Sequence, residues 1–401
     1  MSRHGEELLL KIFRRWEADP APGAPVTVPI TRSSALPYFQ AEGIDDKDAL
    51  HAYLRLAERE GCIELKWGRL NTAHLLERIT LRDGARLAAY LGLPVASVEA
   101  EKARQQLGAA LSGERRWIAD LLEEMVELWR VGKSAHGLAL DQVREARELM
   151  RALEAVCAGK QEGLDLRTFS ARYVGDSKAL ERMQSRFARI WQRQFPGDEL
   201  DADELFQSLG LTKFPLPVLF KGPVVIVNRG VSFDCRTVRP YLGFPPQAVD
   251  SLEFPSLPSY LLFVENPASF NRHVAEVEDD GLVLYTAGFP SSRTLRLFQL
   301  LDEKLPETVQ FFHWGDLDLG GLRIMARIQQ HLRRNLHSHL MTRELLELHG
   351  ESSGRIDRVK LVSLASRHPK MKQLTDRILS FDPPLWLEQE NVDPRAPAPV
   401  S

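Results

Sequence analysis

Between Tyr260 and Leu332 the chain alternates short apolar runs with amphipathic stretches. Tyr260 to Asn266 (YLLFVEN), Leu282 to Tyr285 and Val309 to Trp314 read as buried strands. Ala268 to Val277, a stretch with its core at Thr294 to Leu301, and Leu319 to Leu332 read as the helices that follow them. Such alternation implies a mostly parallel sheet with helices on its faces. In an open sheet of that kind, ligands bind beyond the carboxyl ends of the strands. Two of the three strands end in acids, one in Glu265 and another in the pair Asp316 and Asp318.

Side chains two apart on extended backbone point the same way, so Asp316 and Asp318 can aim at one spot. If the two strands are neighbours, Glu265 joins them. Three crowded carboxylates repel one another, and a divalent cation relieves the repulsion. Hard oxygen donors select Mg²⁺ or Mn²⁺ over zinc. Such an ion polarises phosphoryl oxygens and generates hydroxide. Gly315, Gly320 and Gly321 flank the pair and permit close approach. The same Asp-x-Asp pattern also occurs in phosphotransferases and nucleotide sites, and Asp318 is placed to cap the next helix. Basic residues follow: Arg323 and Arg327 one turn apart, then Arg333 and Arg334. From Arg355 to Arg377 there are seven Lys or Arg (Arg355, Arg358, Lys360, Arg367, Lys370, Lys372, Arg377) against Asp357 and Asp376. Acids for a metal beside cations for neighbouring phosphates suit phosphodiester cleavage. His331, His337 and His339 have no carboxylate or Cys at ligand spacing. His313, inside a strand, reads as a satisfied core histidine. No Gly-x-x-x-x-Gly-Lys is present, which argues against ATP use.

Upstream, Leu8, Ile12, Phe13 and Trp16 recur at helical spacing, and a helix from about Asp46 to Glu60 stops at Gly61. Short strand-like pieces follow at Cys62 to Trp67 and Arg78 to Leu81, so the order is helix, helix, hairpin, with winged-helix character. Residues 96 to 158 read as two or three packed helices interrupted by Gly132 and Gly137, and 159 to 163 as a linker. A helix predicted from Ser177 to Phe195 carries Arg182, Arg186, Arg189 and Arg193 on one face. No acid lies between Arg182 and Gln194, which points to a phosphate-backbone surface. The net charge of −3 advertises no such surface overall, so the argument rests on local patches. The composition, 44% hydrophobic and 27% charged, is that of a soluble globular protein of two or three domains. No apolar run is long enough for a bilayer, and the first residues lack a signal-peptide pattern. Three scattered cysteines, Cys62, Cys157 and Cys235, suit a reducing cytoplasm.

Four segments, in this order, carry a family resemblance: Gly175-Asp176-Ser177-Lys178; Phe263-Val264-Glu265-Asn266 followed by Phe270; His313-Trp314-Gly315-Asp316-Leu317-Asp318-Leu319-Gly320-Gly321; and Leu387-Glu388-Gln389-Glu390. Over about 165 to 391 the chain resembles the JetD family, nuclease subunits of bacterial Wadjet plasmid-defence systems. That family is similar to the A subunit of topoisomerase VI and to the enzyme of meiotic double-strand breaks. The resemblance implies an α+β protein with a largely helical arm of winged-helix character over 1–160. A winged-helix (CAP-like) DNA-binding domain over 164–225, a toprim α/β domain over 226–391 and a flexible tail over 392–401 follow. It implies that Glu265, Asp316 and Asp318 hold Mg²⁺ or Mn²⁺ and activate water for hydrolysis. The DNA-facing cations are then Lys178, Arg182, Arg186, Arg189, Arg193, Arg323 and Arg327. The implied setting is a cytoplasmic, nucleoid-associated homodimer on double-stranded plasmid DNA. An SMC-type ATPase complex with kleisin and accessory subunits would deliver that DNA. Topoisomerase relatives attack through a tyrosine; Tyr173 stands near that position but shifted from it, which favours hydrolysis. Glu388 and Glu390 are candidates for the metal's surroundings, with a structural role preferred. The competing readings are a tyrosine transesterase, a DNA-binding partner with an inactive site, and a small-molecule phosphohydrolase.

Overall fold

The computed structural model describes residues 2–19, 25–41, 43–69, 74–213, 216–352 and 356–400. They fall into two compact units, one of residues 1–158 with 173–175, the other of 159–172 with 176–401.

The first unit opens with α1 (Arg3–Ala18), capped by Ser2, whose hydroxyl accepts from the Gly5 N–H. Its apolar stripe of Leu8, Leu9, Ile12 and Phe13 is buried, as the spacing requires. Then come β1 (Thr27–Pro29), α2 (Leu36–Gln40), α3 (Ile44–Arg59), β2 (Ile63–Trp67), β3 (Leu76–Leu81) and α4 (Gly84–Leu91). The strands form an antiparallel sheet in the order β1-β3-β2. The helix, helix, hairpin order is present, extended by α2 and by β1 on the outer edge of β3. Three helices complete the unit: α5 (Ala96–Gly108), α6 (Arg116–Arg130) and α7 (Val143–Cys157). Gly132 and Gly137 both lie between α6 and α7 at positive φ.

The second unit begins with α8 (Leu166–Phe169), followed by a π-helical turn, Ser170–Val174, whose last two residues are grouped with the first unit. The helix predicted as one from Ser177 to Phe195 is two, α9 (Ala179–Arg182) and α10 (Gln184–Gln194), broken at Met183. The break detaches Arg182 from the face shared by Arg186, Arg189 and Arg193. α11 (Ala202–Ser208) follows. Five short strands come next without an intervening α-helix: β4 (Val218–Lys221), β5 (Val225–Asn228), β6 (Val231–Asp234), β7 (Leu242–Phe244) and β8 (Ser251–Glu253).

The predicted alternation then appears as β9 (Tyr260–Val264), α12 (Pro267–Glu276), β10 (Leu282–Tyr285), α13 (Ser292–Lys304), β11 (Gln310–Trp314) and α14 (Leu319–His331). β12 (Leu336–Ser338), α15 (Arg343–His349), β13 (Glu351–Ser352), α16 (Arg358–Arg367), α17 (Lys372–Leu379) and β14 (Leu385–Trp386) close the chain. The main sheet has the order β12-β11-β9-β10-β4-β7. Its first four strands are parallel, while β4 and β7 join antiparallel, so the sheet is mixed. Every residue of β9 is buried, which is why that strand reads as an unbroken apolar run. β5, β6 and β8 form a separate antiparallel sheet. The boundary suggested between 225 and 226 runs through β5, and β4 before it belongs to the main sheet.

Within the described part of the tail, Asp393 and Val400 are hydrogen-bonded to the domain. Gln310 exchanges two hydrogen bonds with Val400, and Arg272 holds Asp393 at 2.7 Å. No helix among the described residues is long and apolar enough to cross a membrane.

Candidate metal site at the strand ends

β9 and β11 are parallel neighbours, with Trp314 opposite Val264. The next residue of each strand is therefore Glu265 or Gly315, and the Glu265 N–H donates to the Trp314 carbonyl at 3.1 Å. Close packing explains two of the glycines. A Cβ on Gly315 would strike Glu265 Oε2 and His313 Nε2, and one on Gly321 would strike the Asp316 carbonyl.

Each acid has a distinct environment. Glu265 Oε2 is buried and has no hydrogen-bond partner. Burial first, then the charges of Asp316 and Asp318, push the Glu265 carboxyl up to about 8. Asp316 Oδ1 accepts from the Gln389 N–H at 2.7 Å. Burial raises Asp316 to about 6, against that hydrogen bond; the charges of Asp318, Glu388 and Glu390 add to the rise. Asp318 caps α14: its Oδ1 accepts from the Gly321 N–H at 2.8 Å. Capping and charge-coupling thus coexist in Asp318. Among the described residues no three His, Cys, Asp or Glu side chains stand ready-made to hold a metal ion. Yet the donor set is all carboxylate, one buried oxygen lacks any partner, and the charges repel. A hard divalent cation fits all three observations.

The C-terminal segment, which the sequence left undecided, lies against these strand ends. Leu387 and Leu317 form an antiparallel bridge. Gln389 Oε1 accepts from the Asn266 N–H at 3.0 Å, and Glu390 Oε1 accepts from Asn266 Nδ2 at 2.7 Å. Asn266 also caps α12. Gln389 stands in one of the four resemblance segments, but nothing in the sequence assigns it a role, because its partners lie 73 and 123 residues away.

The cations divide into two groups. Arg323 is buried at 7% exposure and bonds both oxygens of Glu204, at 3.3 and 3.0 Å. Arg327 donates to the Pro290 and Ser208 carbonyls and stacks over Phe289. Neither is the exposed phosphate contact the sequence suggested; both are spent within the unit. Arg333 and Arg334 likewise gather on buried Asp302. Between 356 and 377, Arg367 holds Asp198 and Arg377 the Met341 carbonyl, while Arg355 lies outside the described residues. Lys178, Arg182, Arg189 and Arg193 are exposed and Arg186 is half-buried. Arg182 pairs with Asp176 at 2.5 Å, an acid just outside the stretch read as unbalanced.

His313 is fully buried, but neither ring nitrogen has a hydrogen-bond partner, so it is a core histidine without satisfaction; burial drives it down to about 3. His331 and His339 contact the Arg327 and Arg395 carbonyls rather than one another. Tyr173 is half-buried in the π-helical turn.

Comparison with known proteins gives a consistent result. Residues 225–398 match the family model described as Wadjet protein JetD, C-terminal. Residues 6–191 match one described as an uncharacterized protein conserved in bacteria, N-terminal. The Wadjet protein JetD of Bacillus cereus (strain Q1) is 26% identical over 290 residues, spanning 71% of this chain and 70% of that protein. With the four sequence segments that first carried the likeness, these matches identify residues 225–398 as the C-terminal domain of the JetD family of Wadjet proteins, in a chain similar to a JetD protein over most of its length.

Proposed function

We propose that the chain is a Mg²⁺- or Mn²⁺-dependent DNA endonuclease of Wadjet-type plasmid defence. It would act in the bacterial cytoplasm as a homodimer on double-stranded DNA delivered by an SMC-type ATPase complex with kleisin and accessory subunits. The observation that carries this reading is the pairing of β9 with β11. It sets a buried carboxylate oxygen without a partner beside an Asp-x-Asp segment.

Glu265, Asp316 and Asp318 would hold the ion, which when bound supplies Lewis-acid polarisation and water of lowered pKa. To serve as a ligand Glu265 would have to be ionised, which a bound cation would favour. Asp316 and Asp318 each accept one backbone N–H at Oδ1, which leaves both carboxylates with lone pairs that could face an ion. Those N–H groups fix the two carboxylates in advance, which lowers the cost of ordering them. Of the flanking glycines, only Gly320, which meets nothing closer than the Asp318 carboxylate at 3.4 Å, leaves room for a phosphate backbone; those at 315 and 321 serve the packing of the strand ends. On α10, Arg186, Arg189 and Arg193 share one face, flanked by buried Phe187 and Ile190, and they are the favoured phosphate contacts.

The test is cutting of circular plasmid DNA by the purified chain in Mn²⁺, repeated with the SMC complex if the chain alone is silent. Glu265→Ala and chelator should each abolish cutting, whereas Tyr173→Phe should leave it nearly intact. Loss of cutting in Tyr173→Phe would instead establish the transesterase.

DNA affinity supplies a second test. Replacing Arg186, Arg189 and Arg193 by Gln should flatten the plot of log affinity against log salt by roughly 0.9 for each phosphate left without its arginine. An unchanged slope would remove α10 from the DNA interface.

A further inference from the structure

Gln389 is 1% exposed, in a short 3-10 turn, Gln389–Asn391, at the edge of the acidic site. Glutamine is seldom buried so completely. Its main-chain N–H donates to Asp316 Oδ1, and its side-chain Oε1 accepts from the main-chain N–H that follows Glu265. One residue thus ties the carboxylate of one strand end to the backbone of the other. Its second polar atom, Nε2, is buried with no partner.

A staple that merely held down the chain end would not need this side chain. Leu387 is already bridged to Leu317, with the Leu317 N–H donating at 2.8 Å. Beyond it, Arg272 holds Asp393, His339 meets the Arg395 carbonyl, and Gln310 pairs with Val400. A methionine of the same shape would also spare the cost of a buried, unpaired donor. What only the amide or a carboxylate supplies at this position is an acceptor for the Asn266 N–H.

We propose that Gln389 is a positioning residue of the acidic site, holding Asp316 and the turn after Glu265 in one frame so that both carboxylates meet a divalent cation together. This rests on the metal reading above. Partners of this kind, one bond removed from the ligands, typically alter metal affinity by about 10–100-fold.

The experiment titrates the full chain with Mn²⁺, following the free-ion signal by electron paramagnetic resonance, beside melting temperatures in chelator. The variants are Gln389→Met, Gln389→Glu and Glu265→Ala. Gln389→Met should weaken Mn²⁺ binding by about 10–100-fold at an unchanged melting temperature. Gln389→Glu, which keeps the acceptor for Asn266, should recover most of that loss. Wild-type affinity in Gln389→Met, with binding lost only in Glu265→Ala, would overturn the inference alone. A melting temperature that falls in step with metal binding would also overturn it, reducing Gln389 to a staple. No binding by the unsubstituted chain would overturn the metal reading and this inference together.

Discussion

Replacing Glu265 by glutamine should abolish plasmid cutting while leaving the chain at least as stable as before. The substitution changes almost no volume and removes one negative charge. Glu265 Oε2 is buried without a partner, and the carboxyl is raised to about 8 by burial and by its acidic neighbours. In chelator near pH 7 the side chain is therefore mostly protonated, and an amide imitates that form. A carboxyl raised above its unfolded value contributes stability that is fully present below the ordinary carboxylate range. That stability is lost as pH rises through about 8. The wild-type melting temperature in chelator should accordingly fall between about pH 5 and pH 9, a window set by the ordinary glutamate value and the raised one. Glu265→Gln should escape that part of the fall, with its advantage vanishing below about pH 4.

Added Mn²⁺ should reverse the order. It raises the melting temperature of the wild type by mass action and leaves the variant behind. Cutting should drop by on the order of 10³-fold or more, the scale of losing a main electrostatic contributor at a transition state. A stable Glu265→Gln variant that still cuts would sink the assignment of Glu265 to the metal. One that is inactive and also unstable in chelator would show that its carboxylate is needed for folding instead.

The parts of this site written in local sequence were legible in it. Five consecutive apolar residues followed by an acid mark β9 and Glu265, because a central parallel strand must be apolar on both faces. An aromatic strand running into Asp-x-Asp and two glycines marks β11 and the start of α14. Strand order could not be read the same way: only the pairing of Trp314 with Val264 makes the two ends neighbours. β4 and β7 escaped notice because three or four residues of strand, joined by loops, have no period to detect. The break at Met183 was hidden because the apolar spacing continues through it.

The arginines show where counting charges fails. Arg182 reads as unbalanced between 182 and 194 because its acid, Asp176, lies six residues upstream. Arg323 looked like a DNA contact because Glu204 is 119 residues away. A run of cations in sequence becomes a basic surface only if the fold brings no acids to it, and here the fold brings Glu204, Asp302 and Asp198. Gln389 marks the opposite limit, a neutral residue whose proposed role is read from what it touches.

Arg323→Met should therefore cost stability rather than DNA affinity. Arg323 staples α14, the helix that begins at Asp318, to α11, where Glu204 also completes a capping box with Asp201. Burial already raises the Glu204 carboxyl, and Arg323 holds it down. Removing the guanidinium leaves a largely buried carboxylate with only the Asp201 N–H to compensate it, a loss toward the lower end of the roughly 3–5 kcal/mol found for buried pairs. For a unit of this size that corresponds to a fall in melting temperature of roughly 10 °C. Without its cation, Glu204 should take up a proton at still higher pH, so the defect should be largest at neutral pH and shrink on acidification. Pairing Arg323→Met with Glu204→Gln should recover much of the loss, because no buried charge then remains. At a temperature where the variant is folded, the salt dependence of its DNA binding should match the wild type. A shallower slope with an unchanged melting temperature would return Arg323 to the DNA interface and contradict its burial against Glu204.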